Sequence, residues 1–142
     1  MKIGIDLGGS HVAIGLVDEH YEIIEKRTYY MTDRKQENIE DYIIQSIVHG
    51  INEILNSTNK RLEEIESIGI ASPGNSKNGI IKNIVNLGIK EFNISERLTE
   101  SLGMGTFNIP IKVKNDGKCA ALAEKKYGSL KDYRDCIFLG NI

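Results

Sequence analysis

The chain has 142 residues, enough for one domain with one real core, since a chain of this length buries roughly two thirds of its unfolded surface. Its formal charge is -2, which leaves no basic field to attract nucleic acid and no acidic tail. No apolar run approaches the ~20 residues that span a bilayer. Met1-Lys2 leads straight into a strand with no signal-peptide pattern, so the cytoplasm is the expected location and neither nucleic acid nor membrane is an expected partner.

The first three segments read as a meander: strands over Lys2 to Leu7, Val12 to Val17 and Glu22 to Met31. The second is apolar at successive positions, which predicts a strand covered on both faces. The third mixes in charge and is expected near the sheet edge. Between the first two lies Asp6-Leu7-Gly8-Gly9-Ser10-His11. Its two glycines allow a turn with φ > 0 and leave backbone N–H groups open to an anion. Asp6 at the mouth of the turn suits a Mg²⁺ ion held through water, because Mg²⁺ dehydrates reluctantly. An ordinary tight hairpin is the plainer reading of this run taken alone.

Ile39, Ile43, Ile47, Ile51 and Leu55 recur every four residues. This is the stripe of a long helix that packs on a sheet and carries no chemistry. Thr32 or Asp33 is the expected lead-in, Asn56 to Asn59 the stop, and His49 an exposed side chain. Ser67 to Ser72 is a buried strand that ends at Pro73-Gly74-Asn75, a turn signal. Strand, helix and strand make one crossover, and with the meander they give a mixed sheet. Residues 76 to 92 are expected to be irregular. Asn93, with Glu96 three residues on, approximates a capping box for a short helix that stops at Gly103. Ile109 to Lys114 is a further strand ending in Asn115-Asp116. The helix Gly117 to Lys126 is expected to pack through Cys119, Ala120, Leu122 and Ala123, and Asp135 to Leu139 is a last strand. Cys119 and Cys136 are the only cysteines and stand far from the three histidines. They read as buried small residues, with no zinc site and no disulfide.

Three strands therefore end in something chemical: Asp6 and its glycine turn, Pro73-Gly74-Asn75, and Asn115-Asp116. If the three are parallel neighbours, those ends share one edge of the sheet, where open α/β sheets bind ligands. A carboxylate such as Asp116, just before a helix, suits a general base, and Asn115 offers the donor and acceptor that a polyhydroxyl ligand needs. Asp116 as a plain helix cap is the alternative.

The runs Gly4 to Ser10, Gly69 to Gly74, Asn86-Leu87-Gly88 and Asn115 to Glu124 follow one another in an order and spacing that resemble the ROK family of repressors, open-reading-frame proteins and sugar kinases. The resemblance spans Ile3 to Leu139. It implies an α/β, ribonuclease-H-like mixed sheet of the actin and hexokinase type, flanked by helices, and ATP-dependent phosphorylation of a hexose hydroxyl. It further implies that Asp6 faces the metal, that Gly8, Gly9, Ser10 and His11 approach the nucleotide, and that Gly74, Asn75, Asn86, Asn115 and Asp116 border the sugar, with Asp116 as base. Ser10 and His11 stand where the family carries threonine and often lysine, and Lys118 where it prefers a small residue. Family members continue past Leu139 into a second phosphate motif and a second lobe. The expectation is thus that residues 1–116 are one lobe, that 117–142 begin the other, and that this chain alone turns over no substrate. A sugar-binding module without catalysis, or a homodimer formed through the exposed interlobe face, are the competing readings.

Overall fold

The meander is present in the computed structural model, which describes residues 1–31, 38–104, 107–135 and 137. Strands β1 (Lys2–Leu7), β2 (His11–Val17) and β3 (Ile23–Tyr30) run antiparallel in turn, with Ile5 opposite Ile14 and Ile14 opposite Arg27. Helix α1 (Ile39–Ser57) then crosses to β4 (Ser67–Ser72), which pairs parallel with β1, Ile5 against Ile70. Strand β8 (Ile111–Asn115) pairs parallel with β4, Ser72 against Asn115. The sheet order is β3-β2-β1-β4-β8, so β3 is an edge, as its mixed charge predicts.

Helix α1 begins where Asn38 accepts hydrogen bonds from the Glu40 and Asp41 backbone N–H groups at 2.9 and 3.4 Å. Asn38 is therefore the cap, and the expected lead-in at Thr32 or Asp33 lies outside the described residues. The isoleucine stripe of α1 is buried against Ile3, Ile5, Leu7, Ile14, Leu16, Ile68 and Ile70. Gly50 lets the helix approach closely, since a Cβ there would lie 2.6 Å from the Ile14 side chain and 2.9 Å from that of Tyr29. Outside this contact Tyr29 donates to Glu53 at 2.6 Å, and Glu53 also lies 3.7 Å from His49. Burial, then the bond to Glu53, push the Tyr29 phenol up to about 12, and the same bond holds the Glu53 carboxyl below its usual range.

The expected irregular stretch 76–92 is instead a second small sheet, β5-β6-β7, formed by Asn75–Lys77, Ile80–Ile84 and Ile89–Phe92. Asn78 and Gly79, both at positive φ, make the two-residue hairpin turn between β5 and β6. A single 3₁₀ turn at Val85–Leu87 follows, closed by Gly88 in the left-handed region. Helix α2 (Ile94–Ser101) is capped by Asn93, whose side chain accepts from the Glu96 N–H at 3.2 Å and donates to the Glu96 carboxylate at 2.7 Å. Arg97 on this helix pairs with Glu40 and Asp41 in the first turn of α1.

The second face of the large sheet corrects two expectations. Strand β2 is covered fully on one side and only in part on the other: Val12, Ile14 and Leu16 are buried on the first and Ala13 on the second, where half-buried Gly15 and Val17 line an open groove of about 310 Å³ with Gly4 and Asp6. Helix α3 (Asp116–Tyr127) lies on this face, yet none of its residues is buried, and Leu122 and Ala123 are exposed. Its side chains are too small and too polar to fill the space over a row of glycines. Its far end is held by Tyr127, whose ring centroid lies 5.0 Å from that of Tyr21, with Lys126 5.2 Å from the Tyr21 ring. Cys119 is half-buried rather than buried. Most of the expected strand Asp135 to Leu139, with Cys136, lies outside the described residues.

Candidate functional site

The parallel neighbours β1, β4 and β8 all run in one direction, so their carboxyl ends form one rim. Asp6, the turn at Pro73-Gly74 and Asn115-Asp116 all stand on it. Two strand spacings of about 4.8 Å separate β1 from β8, and Asp116 lies two residues beyond Lys114, which is level with Asp6, so roughly 12 Å separate the two positions. Both carboxylates also act on one thiol. Burial pushes Cys119 up, Lys114 works against that, and Asp116 and Asp6 add to it.

Helix α3 starts at Asp116, but its cap is Asn115, whose side-chain oxygen accepts from the Lys118 N–H at 3.3 Å. Asp116 is thus released from the capping role that was its alternative. One of its oxygens accepts from the Gly117 N–H at 2.7 Å, and the side chain stays half-open. The Asn115 amide also donates to the Gly74 carbonyl at 2.8 Å. Asn115 therefore ties the Pro73-Gly74 turn to the start of α3. Ser76, donating to the Val113 carbonyl at 3.1 Å, adds a second tie. Gly74 has φ 79°, and a Cβ there would lie 2.5 Å from the Lys82 carbonyl, so glycine is required at this crossing of β6.

The result is a cavity of about 210 Å³ lined by Gly74, Asn83, Val85, Asn86, Asn115 and Asp116. Four of the five expected sugar-facing residues meet here. Asn75 does not: it belongs to β5, pairs with Lys82 and is exposed. Asn83 and Val85 were not anticipated. Asn78-Gly79 just before the apolar pair Ile80-Ile81 was the available signal, since recognising that hairpin places residues 80 to 84 on a strand beside the Gly74 turn.

The glycine turn abuts this cavity from the β1 side, with the Gly9 Cβ position 3.7 Å from the Asn86 Cβ. Neither Gly8 nor Gly9 takes a positive φ, contrary to expectation. At Gly8 a Cβ would stand 3.2 Å from the movable His11 ring, a tight contact, and the Gly8 N–H donates to the His11 carbonyl at 2.8 Å. Gly9 and Ser10 are exposed. Asp6 is open to solvent, with the His11 imidazole 3.7 Å from its carboxylate and Ser10 Oγ 3.3 Å from the other ring nitrogen. A lone exposed carboxylate at a strand end fits a Mg²⁺ ion that keeps most of its waters. The exposed backbone of Gly9 and Ser10 fits phosphate oxygens.

A mixed sheet with one long crossover helix, and a polar cavity on the rim of its parallel strands, defines an α/β fold of the ribonuclease-H-like, actin and hexokinase type. The chain belongs to the ROK family, whose model matches residues 2–140. It is 30% identical to the glucokinase of Streptomyces coelicolor over 144 residues, covering 99% of this chain and 41% of that protein. It is 24% identical to the N-acetylglucosamine repressor of Escherichia coli O157:H7, covering 96% of this chain and 32% of that one. Among solved structures, the ROK family glucokinase of Streptomyces griseus, in complex with glucose and AMPPNP, superimposes with a TM-score of 0.68 at 22% identity, covering 90% of this chain and 37% of that chain. The chain thus spans about two fifths of the length of the glucokinase it matches.

Proposed function

We propose that this chain is the part of an ATP-dependent ROK sugar kinase that supplies the general base and one phosphate-facing turn. The observation that carries this reading is the meeting of Asp116 with Gly74, Asn86 and Asn115 in one cavity, on the rim that also bears Asp6. A sugar hydroxyl is a weak nucleophile. Asp116 accepts its proton as the oxygen bonds to the γ-phosphorus of ATP, and the bond from that phosphorus to the bridging oxygen breaks, releasing ADP. Such general-base help contributes roughly 10²–10⁴-fold. Asn115 holds the turn and the helix start together, so the base and the cavity wall keep their spacing. Gly9 and Ser10 offer backbone N–H groups to phosphate, and Asp6 would hold Mg²⁺ through its waters. Bound Mg²⁺ would neutralise charge on the transferred phosphoryl group. On this reading residues 1–116 form the lobe that carries both carboxylates, and 117–142 lead toward a second lobe that closes the cleft.

The test is ADP release coupled to an optical readout, with glucose and Mg-ATP, from a chimera in which this chain replaces the matching segment of the Streptomyces coelicolor glucokinase. We expect Asp116→Asn to lower any turnover by roughly 10²-fold or more with an unchanged melting temperature. Unchanged turnover would remove Asp116 from the chemistry. A second reading, sugar binding without phosphoryl transfer, is favoured by His11, which stands against the carboxylate that a metal would need. Calorimetry separates the two: glucose binding with no Mg-ATP binding supports the second.

A further inference from the structure

Strand β6 departs from the rule that side chains alternate between the two faces of a sheet. Ile81 is buried and Lys82 is exposed, so residue 83 should be buried and residue 84 exposed. The reverse holds: Asn83 is exposed and Ile84 is buried. The cause is local. Asn83 has φ 59°, in the left-handed region. Ile81, Lys82 and Ile84 pair with Phe92, Glu91 and Ile89, while Asn83 is left out of the ladder. The left-handed residue swings the strand so that Ile84 reaches the core and Asn83 lines the cavity that holds Asp116, with its backbone carbonyl 3.2 Å from the Gly74 Cβ position. A non-glycine residue in this region is uncommon, and asparagine is among the few that tolerate it. Glycine fills this region at Gly74, Gly79 and Gly88, and asparagine fills it also at Asn59 and Asn78.

The hydrogen bonding of the cavity narrows what that amide does. Asn115 commits its oxygen to Lys118 and an N–H to Gly74. Asp116 takes the Gly117 N–H on one oxygen. Asn83 and Asn86 make no side-chain hydrogen bond among the described residues, so their two amides are the groups left to read a pattern of hydroxyls. Each offers both donors and an acceptor, which a ring of hydroxyl groups can satisfy from either side. Val85 beside them gives an apolar contact and is 85% exposed.

We propose that Asn83 contacts the bound sugar directly and helps to decide which hexose the cavity accepts. The proposal rests on the cavity's being a sugar site, as argued above, and adds a contact outside the asparagines that family resemblance assigns. Losing one such hydrogen bond costs about 1 kcal/mol, or about fivefold in affinity, and leaving the sugar hydroxyl unpaired raises the loss toward tenfold.

The experiment is calorimetric titration of the whole chain with glucose, mannose, N-acetylglucosamine and xylose, on the native sequence, Asn83→Gly and Asn83→Asp, with thermal melts of each. Asn83→Gly keeps the left-handed backbone and removes the amide. Its expected effect is a loss of about tenfold for the preferred sugar and little change for at least one other, with the melt unmoved. Asn83→Asp keeps an acceptor, loses the donor, and is expected to reorder the four sugars. Unchanged affinities in Asn83→Gly, or a uniform loss across all four sugars, would overturn the proposal while leaving the cavity as the sugar site. A folded native chain that binds none of the four would overturn the sugar reading and this proposal with it.

Discussion

The two faces of the five-stranded sheet are built on opposite principles. The face under α1 is a continuous isoleucine and leucine layer, with Ile14, Leu16, Ile43, Ile47, Ile51 and Ile54 all inaccessible to solvent. The face under α3 is a floor of Gly4, Gly15 and Gly69 in one row, with Asp6 flanked by Ala13 and Ala71 in the next. Its helix buries no residue. The first face holds the fold together. The second leaves room around both carboxylates, and the helix that begins with Asp116 is the most lightly anchored of the three α-helices among the described residues. Stability and chemistry therefore draw on different sides of the same strands, and substitutions should separate them.

The largest effect is expected under α1. Ile47→Ala removes a fully buried branched side chain between helix and sheet, and should cost about 2–5 kcal/mol in a urea titration. A loss below about 1 kcal/mol would mean that the layer is not the main source of stability. A smaller effect is expected from the Tyr29–Glu53 bond at the rim of the same layer. Because the folded-state phenol sits at about 12, above its usual 10, its contribution is fully present below pH 10 and fades as pH rises toward 12. Glu53 and Glu25, whose carboxyls are held low by Tyr29 and by Arg27 respectively, contribute above the ordinary carboxylate range and lose that contribution as pH falls through their lowered values. Urea midpoints across pH should thus drop at both ends, and Tyr29→Phe should flatten the alkaline limb. The smallest effect is expected on α3. Leu122→Ala should change stability by no more than about 0.5 kcal/mol, the range of an ordinary surface site. A large loss there would show that the open face carries more packing than its exposure indicates.

The first face was legible in the sequence because its signals are periodic. A four-residue isoleucine repeat and three short apolar strands have few other readings, and β1, β4 and β8 came out parallel as the crossover required. The open face was misread for the same reason. Val12 to Val17 looks apolar throughout, but alternation in a strand says which residues share a face and not whether anything covers it. The hairpin from Asn75 to Ile84 was hidden by its brevity, although Asn78-Gly79 marks it. The cavity was half legible: Gly74, Asn86, Asn115 and Asp116 stand in recognisable runs. Asn83 does not, because its exposure follows from one backbone angle. The role of Asn115 in pinning Gly74 was equally hidden, since it depends on two turns 41 residues apart.

The most direct measurement is backbone-amide shift mapping of the isotope-labelled chain, first with glucose and then with Mg-ADP added. If the rim of β1, β4 and β8 is the reaction site, glucose should move the amides of Gly74, Asn83, Asn86 and Asn115 to Gly117. Mg-ADP should then move those of Asp6 and of Gly8 to His11. Shifts confined to the outer side of α1 around Val48 and His49, with the rim silent, would contradict it.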